Sequence, residues 1–297
     1  MLEINQLTKF YESKKVLDSL NLNINKGEIC GLLGANGAGK TTTINIICGL
    51  LNYEKGSIFI NGQKLSKKSK YYLGVSPQEN LLYSHLTCVE NLAFFGKLYG
   101  LKGTKLKSSI YECLKAVNLL DKKDDTVSAL SGGMQRKLNI AIALVHHPLL
   151  LILDEPTTGL DIEARYDIWQ LILRLKQEGM TILLTTHLLD EAEKLCDRLC
   201  IIKQGKIVKE GSLNDLKNIL PAKELIFIKC EQEEKLIEIA KKQGFNYRYY
   251  QGEIAILSEE ILELSTIIDI FSEIYLTSVT KVNINLQHIY LEIINNE

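Results

Sequence analysis

Apolar positions along the chain repeat with two different periods, and the changes of period divide it into segments. In residues 2–24 they recur at every second position in places, as at Leu20, Leu22 and Ile24, and again at Ile58 and Ile60 ahead of Asn61-Gly62. Alternation predicts half-buried strands and Asn-Gly suits a tight hairpin turn, so an antiparallel β layer is expected. An apolar strand over 28–33 runs into Gly34-Ala-Asn-Gly-Ala-Gly39, after which Ile44, Ile47 and Leu51 fall at helical spacing. Val75-Ser-Pro-Gln78 ends another short strand at a proline. Thr87-Cys-Val-Glu90 has the form of a capping box opening a helix over 91–99, Gly100 stops that helix, and helices dominate to Leu130. Leu138, Ile142 and Val145 form one stripe up to Pro148, and the continuous apolar run Leu149–Leu153 predicts a central parallel strand, as does 181–185.

After Gly211-Ser212 and Pro221 the pattern restarts. It predicts a strand at 225–229, a helix at 233–242, strands at 247–249 and 254–257, a helix at 260–274, a strand at 278–286 and a final helix at 287–294. In the second of these helices Leu264, Ile267, Ile268, Phe271 and Ile274 form one stripe. The order βαββαβ predicts a small α+β unit of the ferredoxin-like type with an added helix.

Composition and charge sharpen this division. The 297 residues are 46% hydrophobic, enough for one large domain or two. The formal net charge of −1 conceals 28 Lys/Arg against 23 Asp/Glu in residues 1–222 and 7 against 13 in 223–297, so two differently charged surfaces are expected. No apolar run reaches the roughly 18–20 residues of a membrane span, because Leu138–Leu153 is broken by His146, His147 and Pro148. Met1-Leu-Glu-Ile is neither a basic nor an apolar leader, so a cytoplasmic location is expected. Seven cysteines without a C-x-x-C pair read as reduced thiols; Cys196 and Cys200 read as sharing a helical face, but without the further ligands that a metal needs. Lys97, Lys102, Lys105, Lys107, Lys122 and Lys123 form either a solvated face or one attracted to anionic headgroups. No groove-reading motif accompanies the basic residues, which speaks against nucleic acid.

Candidate chemistry collects at the ends of the apolar strands. Gly34, Gly37 and Gly39 allow a loop whose N–H groups point inward, and a helix beginning near Lys40 adds its positive end, which together make a phosphate cradle. In this spacing Lys40 reaches the β- and γ-phosphates and the Thr41 hydroxyl holds Mg²⁺. Asp154 and Glu155 stand at the carboxyl end of a central strand, where ligands of such sheets bind. There Asp154 suits Mg²⁺ through water, and Glu155 suits orienting or deprotonating an attacking water. His187 ends a neighbouring strand on the same edge, and Gln78 is placed to hold a metal-bound water. Ser131, Gly132 and Gly133 open a second helix with another anion-binding end. Tyr11 has two readings, a ring that stacks on a nucleotide base or a half-buried strand aromatic.

The cradle 34–42, Gln78, Leu130-Ser-Gly-Gly-Met-Gln135, the strand 150–155, Gly159-Leu-Asp161 and His187, in this order and spacing, resemble the nucleotide-binding subunit of ABC transporters over about residues 1–217. Met134, where glutamine is commoner in the family, resembles the variant of bacterial drug, antibiotic and polysaccharide exporters whose membrane subunit is encoded separately. The resemblance implies an α/β P-loop NTPase with a RecA-like core, an antiparallel β layer and a helical subdomain at about 80–130, followed by a small α+β accessory domain at 223–297. It implies ATP and Mg²⁺ as ligands. Tyr11 would stack on adenine, and Lys40 would hold the phosphates with Gly34, Ala35, Asn36, Gly37, Ala38, Gly39, Thr41 and Thr42. Thr41, Gln78 and Asp154 would serve Mg²⁺, Glu155 would be the catalytic carboxylate and His187 the switch at the γ-phosphate. Asp161 would communicate across a dimer.

Such proteins resemble head-to-tail dimers, with a second copy or a related ATPase subunit, in which Ser131, Gly132 and Gly133 complete the partner's site. The implied location is the inner face of the plasma membrane beside a transmembrane permease subunit. Leu81, Leu82 and Tyr83 are either its contact or internal packing. The tail either supports the dimer by packing or senses a small molecule. The rival readings are a soluble ABC-type mechanical ATPase acting on nucleic acid or ribosomes, and a nucleotide sensor without turnover. Against the first stands the absence of heptads between Gln78 and Ser131; against the second stand Glu155 and His187.

Overall fold

In the computed structural model, which describes residues 1–250 and 252–295, β1 (Leu2–Tyr11) and β2 (Lys14–Ile24) pair antiparallel with Leu2 opposite Ile24 and Ile4 opposite Leu22. The alternation thereby buries Leu2, Ile4, Leu20, Leu22 and Ile24 together. β3 (Ile29–Leu33), buried at every position, leads through the glycine loop into α1 (Lys40–Ile47). β4 (Lys55–Ile60) and β5 (Gln63–Lys64) close a hairpin on Asn61 and Gly62, whose φ angles of 50° and 74° suit a two-residue turn that follows strand twist. These strands form a layer of order β2-β1-β4-β5.

A 3-10 stretch, Lys67–Tyr72, leads into β6 (Leu73–Ser76) and then α2 (Cys88–Leu98). The capping box forms as expected, with the Glu90 N–H donating to Thr87 Oγ1 at 3.2 Å and the Thr87 N–H to Glu90 Oε2 at 2.8 Å. Because Thr87 is the cap, the helix opens at Cys88 rather than at 91. There follow α3 (Gly103–Ala116), α4 (Gly132–Leu144), β7 (Leu150–Asp154), α5 (Ile162–Gln177), β8 (Thr181–Thr186), α6 (Leu189–Leu195), β9 (Arg198–Lys203) and β10 (Lys206–Gly211).

The main sheet runs β10-β9-β3-β8-β7-β6, parallel except at β10–β9. Ile152 and Leu183 pack toward Ile44 and Ile47 of α1 on one face, and Leu151, Leu153 and Leu184 toward Leu138, Ile168 and Ile172 on the other. Burial on both faces explains the unbroken apolar runs. It also delivers the glycine loop, Gln78, Asp154-Glu155 and His187 to one carboxyl edge. Contrary to the expected shared helical face, Cys196 follows α6 and Cys200 lies on β9. Cys200 instead faces Cys30 across β9–β3, Sγ to Sγ 3.8 Å. Among the described residues no helix is long and apolar enough to cross a membrane.

Contacts divide the chain into Met1–Ser212 and Leu213–Glu297. The second unit contains α7 (Leu213–Lys217), β11 (Glu224–Cys230), α8 (Glu233–Lys242), β12 (Asn246–Tyr250), β13 (Glu253–Ser258), α9 (Leu264–Ile270), β14 (Leu276–Asn283) and α10 (Leu286–Asn295). Its sheet has the order β12-β13-β11-β14 with every neighbour antiparallel, the ferredoxin-like arrangement expected of βαββαβ. α7 packs on α10 and so joins this unit.

Two tail elements differ from expectation. The helix expected over 260–274 is confined to α9, because the Leu262 N–H is taken by Glu224 Oε1 at 2.8 Å and its carbonyl by the Lys281 ammonium, which holds the preceding chain out of helical form. Of the expected stripe Ile267, Phe271 and Ile274 are buried, while Leu264 and Ile268 face outward. The last strand ends at Asn283 rather than 286, since Asn285 Oδ1 accepts from the His288 N–H at 3.2 Å and starts α10.

Candidate functional site

Gly34 closes β3 against β9, where a Cβ would stand 2.5 Å from the Ile202 carbonyl oxygen. Gly39, at φ 113°, turns the loop into α1 through a conformation that side chains disfavour. Between them the Ala38 N–H bonds the Ala35 carbonyl at 3.2 Å, and the Gly205 N–H bonds the Ala38 carbonyl at 2.9 Å, so the turn after β9 braces the loop. Asn36, Gly37, Gly39, Lys40, Thr41 and Thr42 then line a cavity of about 590 Å³. Its opposite wall is Gln78, Glu155, Thr158 and His187.

Lys40 is buried and donates to the carbonyls of Gly34 (2.7 Å) and Ala35 (3.3 Å), with Glu155 Oε1 at 3.4 Å. Glu155 sits at φ 48°, an uncommon region for a non-glycine residue, where its N–H is held by the Thr185 carbonyl at 3.0 Å. Its carboxylate meets His187 Nδ1 at 2.9 Å and accepts from Thr158 Oγ1 at 3.1 Å. Burial pushes its pKa up, but the His187 hydrogen bond and charge, with Lys40 and Thr158, outweigh burial and hold it below the usual value. Asp154 behaves oppositely: burial, with the neighbouring Glu155 charge, raises its pKa although the Thr185 hydroxyl donates to it. Adjacent acids thus have separated proton affinities, as acid–base sites commonly do.

Thr41, Gln78 and Asp154 border a second cavity of about 460 Å³. A hydroxyl, an amide and a carboxylate are a hard oxygen set that fits Mg²⁺ completed by water and phosphate oxygens.

The remaining expected residues lie outside the lining of the first cavity. Ser131 caps α4, accepting from the Met134 N–H at 3.3 Å. Gly133 lets α4 approach α5 closely, since a Cβ there would stand 2.8 Å from Ala164 Cβ, while above Gly132 there is open space. Asp161 caps α5 through the Ala164 N–H at 2.8 Å. Tyr11, at the end of β1, is 46% exposed, with Lys9 Nζ 5.7 Å from its ring centroid. One chain by itself therefore joins Lys40, Glu155, His187, Thr41 and Gln78 but not the 131–133 turn.

Several further residues shape the site without a signal in the sequence. Val16 and Thr158 line the cavity, and Thr185 holds both acids. Buried Arg136 donates from Nη1 to the Pro77 carbonyl and from Nη2 to the Gln78 carbonyl, each at 2.7 Å, and Asn139 donates to Ser76 Oγ at 3.0 Å. Glu191, buried and raised in pKa by that burial, accepts from Thr157 at 2.7 Å and Trp169 at 3.2 Å, tying the turn after β7 to α5 and α6. Arg136 and Glu191 lie within helical patterns, where single charges carry no sequence signal of burial.

A glycine loop of this shape is built for polyphosphate, and a parallel sheet that brings an acid pair to the same edge makes the protein a P-loop NTPase. A family model described as ABC transporter matches residues 17–158. The linearmycin resistance ATP-binding protein of Bacillus subtilis (strain 168) is 42% identical over 219 residues, 73% of this chain and 70% of that protein. The Nod factor export ATP-binding protein I of Sinorhizobium fredii (strain NBRC 101917 / NGR234) is 44% identical over 213 residues, 71% of this chain and 62% of that protein. A solved dimeric ATP-binding cassette in a post-hydrolysis state with ADP and Pi is similar at a TM-score of 0.64 and 29% identity, covering 72% of this chain and 99% of that one. The chain belongs to the ABC transporter family as an ATP-binding subunit, and it is an ATPase.

Proposed function

We propose that this ATPase drives export through a separate transmembrane subunit, working as a head-to-tail dimer at the inner face of the membrane. The observation that carries the reading is the division of the site: Lys40, Gln78, Glu155 and His187 converge on one cavity, while the Ser131-Gly132-Gly133 turn stands outside it on an open helix end. In a facing copy that turn would complete the γ-phosphate's shell. The similar dimeric cassette supports two copies, and the export and resistance named for the two relatives support the direction.

In this reading Tyr11 stacks on adenine, and the loop amides of 34–39 with Lys40, Thr41 and Thr42 hold the phosphates. Lys40 exchanges its loop carbonyls for phosphate oxygens. Thr41, Asp154 and Gln78 would hold Mg²⁺, which would supply charge neutralisation on the phosphates. Glu155, kept ionised, accepts the proton of the attacking water, and His187 fixes that carboxylate and faces the γ-phosphate; positioning and electrostatics account for most of such catalysis. Loss of the γ-phosphate removes the contact that both copies share, so the pair opens. Asp161, at the start of α5, reports across the interface. The permease docks beside Gln78, where Leu50 is 73% and Leu81 61% exposed on the rim of the second cavity and Tyr83 packs on Phe94 at 4.9 Å between centroids. The accessory domain at 223–297 supports the dimer by packing.

Glu155→Gln tests the proposal. It should leave ATP binding intact, slow turnover on the order of 10²–10⁴-fold and trap a dimer on sizing chromatography with ATP. Unchanged turnover would remove Glu155 from the mechanism. Co-purification from membranes with ribosomes or DNA, and no hydrophobic protein, would favour the soluble mechanical ATPase.

A further inference from the structure

Residues 55–78 and 91–111 contain nine lysines and not one aspartate or glutamate, whereas the rest of residues 1–222 carries 19 Lys/Arg against 23 Asp/Glu. All nine lysines are exposed. None of them forms an ion pair among the described residues, while Lys9, Lys15, Lys137 and Lys176 elsewhere each hold a carboxylate within 3.0 Å. The two acid-free segments meet where Tyr71, on the 3-10 stretch, lies edge-on to Tyr99 just past α2, with centroids 6.2 Å apart. Lys70 Nζ lies 5.4 Å over the Tyr71 ring, and Tyr72 donates to Gln63 Oε1 at 3.5 Å, which ties this stretch to the β4–β5 hairpin. Tyr71 is 48% and Leu98 65% exposed among these charges.

We propose that this face, carried by Lys64, Lys67, Lys68, Lys70, Lys97 and Lys102 around Tyr71 and Leu98, binds the anionic phospholipid headgroups of a membrane surface. Charge complementarity is the first argument: an unneutralised lysine field gains roughly 1 kcal/mol-equivalent, or about fivefold in partitioning, per lysine near an anionic leaflet. The choice of lysine is the second. All five arginines of the chain are committed to internal partners: Arg136 to Pro77 and Gln78, Arg165 to Asp190, Arg174 to Ala116, Arg198 to Glu28 and Arg248 to Glu292. Directional guanidinium forks suit a fixed protein partner, whereas flexible ammonium groups suit a fluid plane of phosphates. The third is the exposed tyrosine and leucine, a polar-tipped ring and an aliphatic side chain that can enter the headgroup–acyl boundary. This deepens the reading of a membrane-attached subunit, adding a contact that needs no permease.

The test is flotation of the purified full chain with vesicles of phosphatidylcholine alone or mixed with phosphatidylglycerol. Binding should appear on the mixed vesicles only and weaken with salt. Lys67→Gln/Lys68→Gln/Lys70→Gln should weaken it on the order of a hundredfold, at roughly fivefold per lysine. The charge-matched control Lys26→Gln/Lys115→Gln/Lys209→Gln should bind like the parent, and ATPase rates should be unchanged in both. Leu98→Ser should remove the binding that survives high salt. Equal partition onto both vesicle types, equal loss in the two triple variants, or capture by duplex DNA with none by vesicles would overturn the inference. Failure here with a permease still co-purifying would leave the transporter reading intact.

Discussion

Arg136→Met separates a positioning role for this arginine from mere packing. The guanidinium makes two bonds of 2.7 Å to the carbonyls of Pro77 and Gln78. Hydrogen bonds from a charged donor contribute about 1.5–3 kcal/mol each. Against this, burial lowers the arginine's pKa, and its Nε has no partner among the described residues, so the ion also carries a desolvation cost. Methionine fills a similar volume without that cost but leaves two carbonyls with one donor fewer, and the net loss of stability should be about 2 kcal/mol. The larger effect should fall on turnover, because the arginine grips the backbone of Gln78 itself. A displacement of about 1 Å in a positioned group can lower rate by on the order of 10². We expect kcat to fall about 10–100-fold, with ATP affinity within about twofold because the glycine loop is untouched. Arg136→Lys, with one ammonium for two carbonyls, should fall between. Steady-state ATPase kinetics across a Mg²⁺ titration, with urea unfolding in parallel, read both quantities. A variant with lowered stability but parental kcat would show that Arg136 only fills space and would refute the reasoning.

Lys40→Ala should abolish tight nucleotide binding, and a titration showing parental affinity would count against the phosphate cradle. The pH dependence of stability should isolate Glu155. Its pKa is depressed in the folded state by His187, Lys40 and Thr158 against burial, so its stabilising contribution is complete above the ordinary value of 4.5 and is lost as pH falls through the lower folded value. The stability difference between the parent and Glu155→Gln should therefore shrink on acidification below that value. In His187→Ala, where the main lowering partner is gone, the shrinkage should be smaller and complete at a higher pH, with its midpoint moved up; the same pH midpoint in both backgrounds would dismiss the His187–Glu155 coupling.

Features specified locally were legible in the sequence, and those specified by distant partners were not. Asn61-Gly62, the Thr87–Glu90 box and the apolar runs of β7 and β8 each contain their own cause, and the structure shows turn, cap and buried strand there. The positive φ of Glu155 has no local sign, because its N–H is held by Thr185, which lies beside Asp154 on the adjacent strand β8 and 30 residues on in sequence. The helix expected at 260–274 is shorter for a like reason: Ile267, Phe271 and Ile274 of its apolar stripe are buried, but Glu224 and Lys281, far apart in sequence, hold the chain at Leu262. Cys196 and Cys200 misled because their spacing of four fits a helix, while α6 ends before the first of them. The glycine loop was recognisable because its residues are consecutive.

Arg136 adds a physical link within that site. It sits five residues after Ser131 on α4, a rise of about 7.5 Å along one continuous helix. A hydrogen-bonded helix of this length moves nearly as a unit, so any displacement at the Ser131 end reaches the guanidinium, and through it the carbonyls of Pro77 and Gln78. Asn139, one turn further on, holds Ser76 Oγ in the same strand end. The chain thus joins by four bonds the helix end it would offer to a partner and the glutamine that lines its own phosphate cavity. In a dimer of such chains each α4 would touch one nucleotide at its start and adjust the other through Gln78, so neither site could complete its shell without straining or settling the loop of its twin. Coupling of this kind needs no motion of the sheet's central strands β3, β7 and β8, which are buried at every position and close-packed.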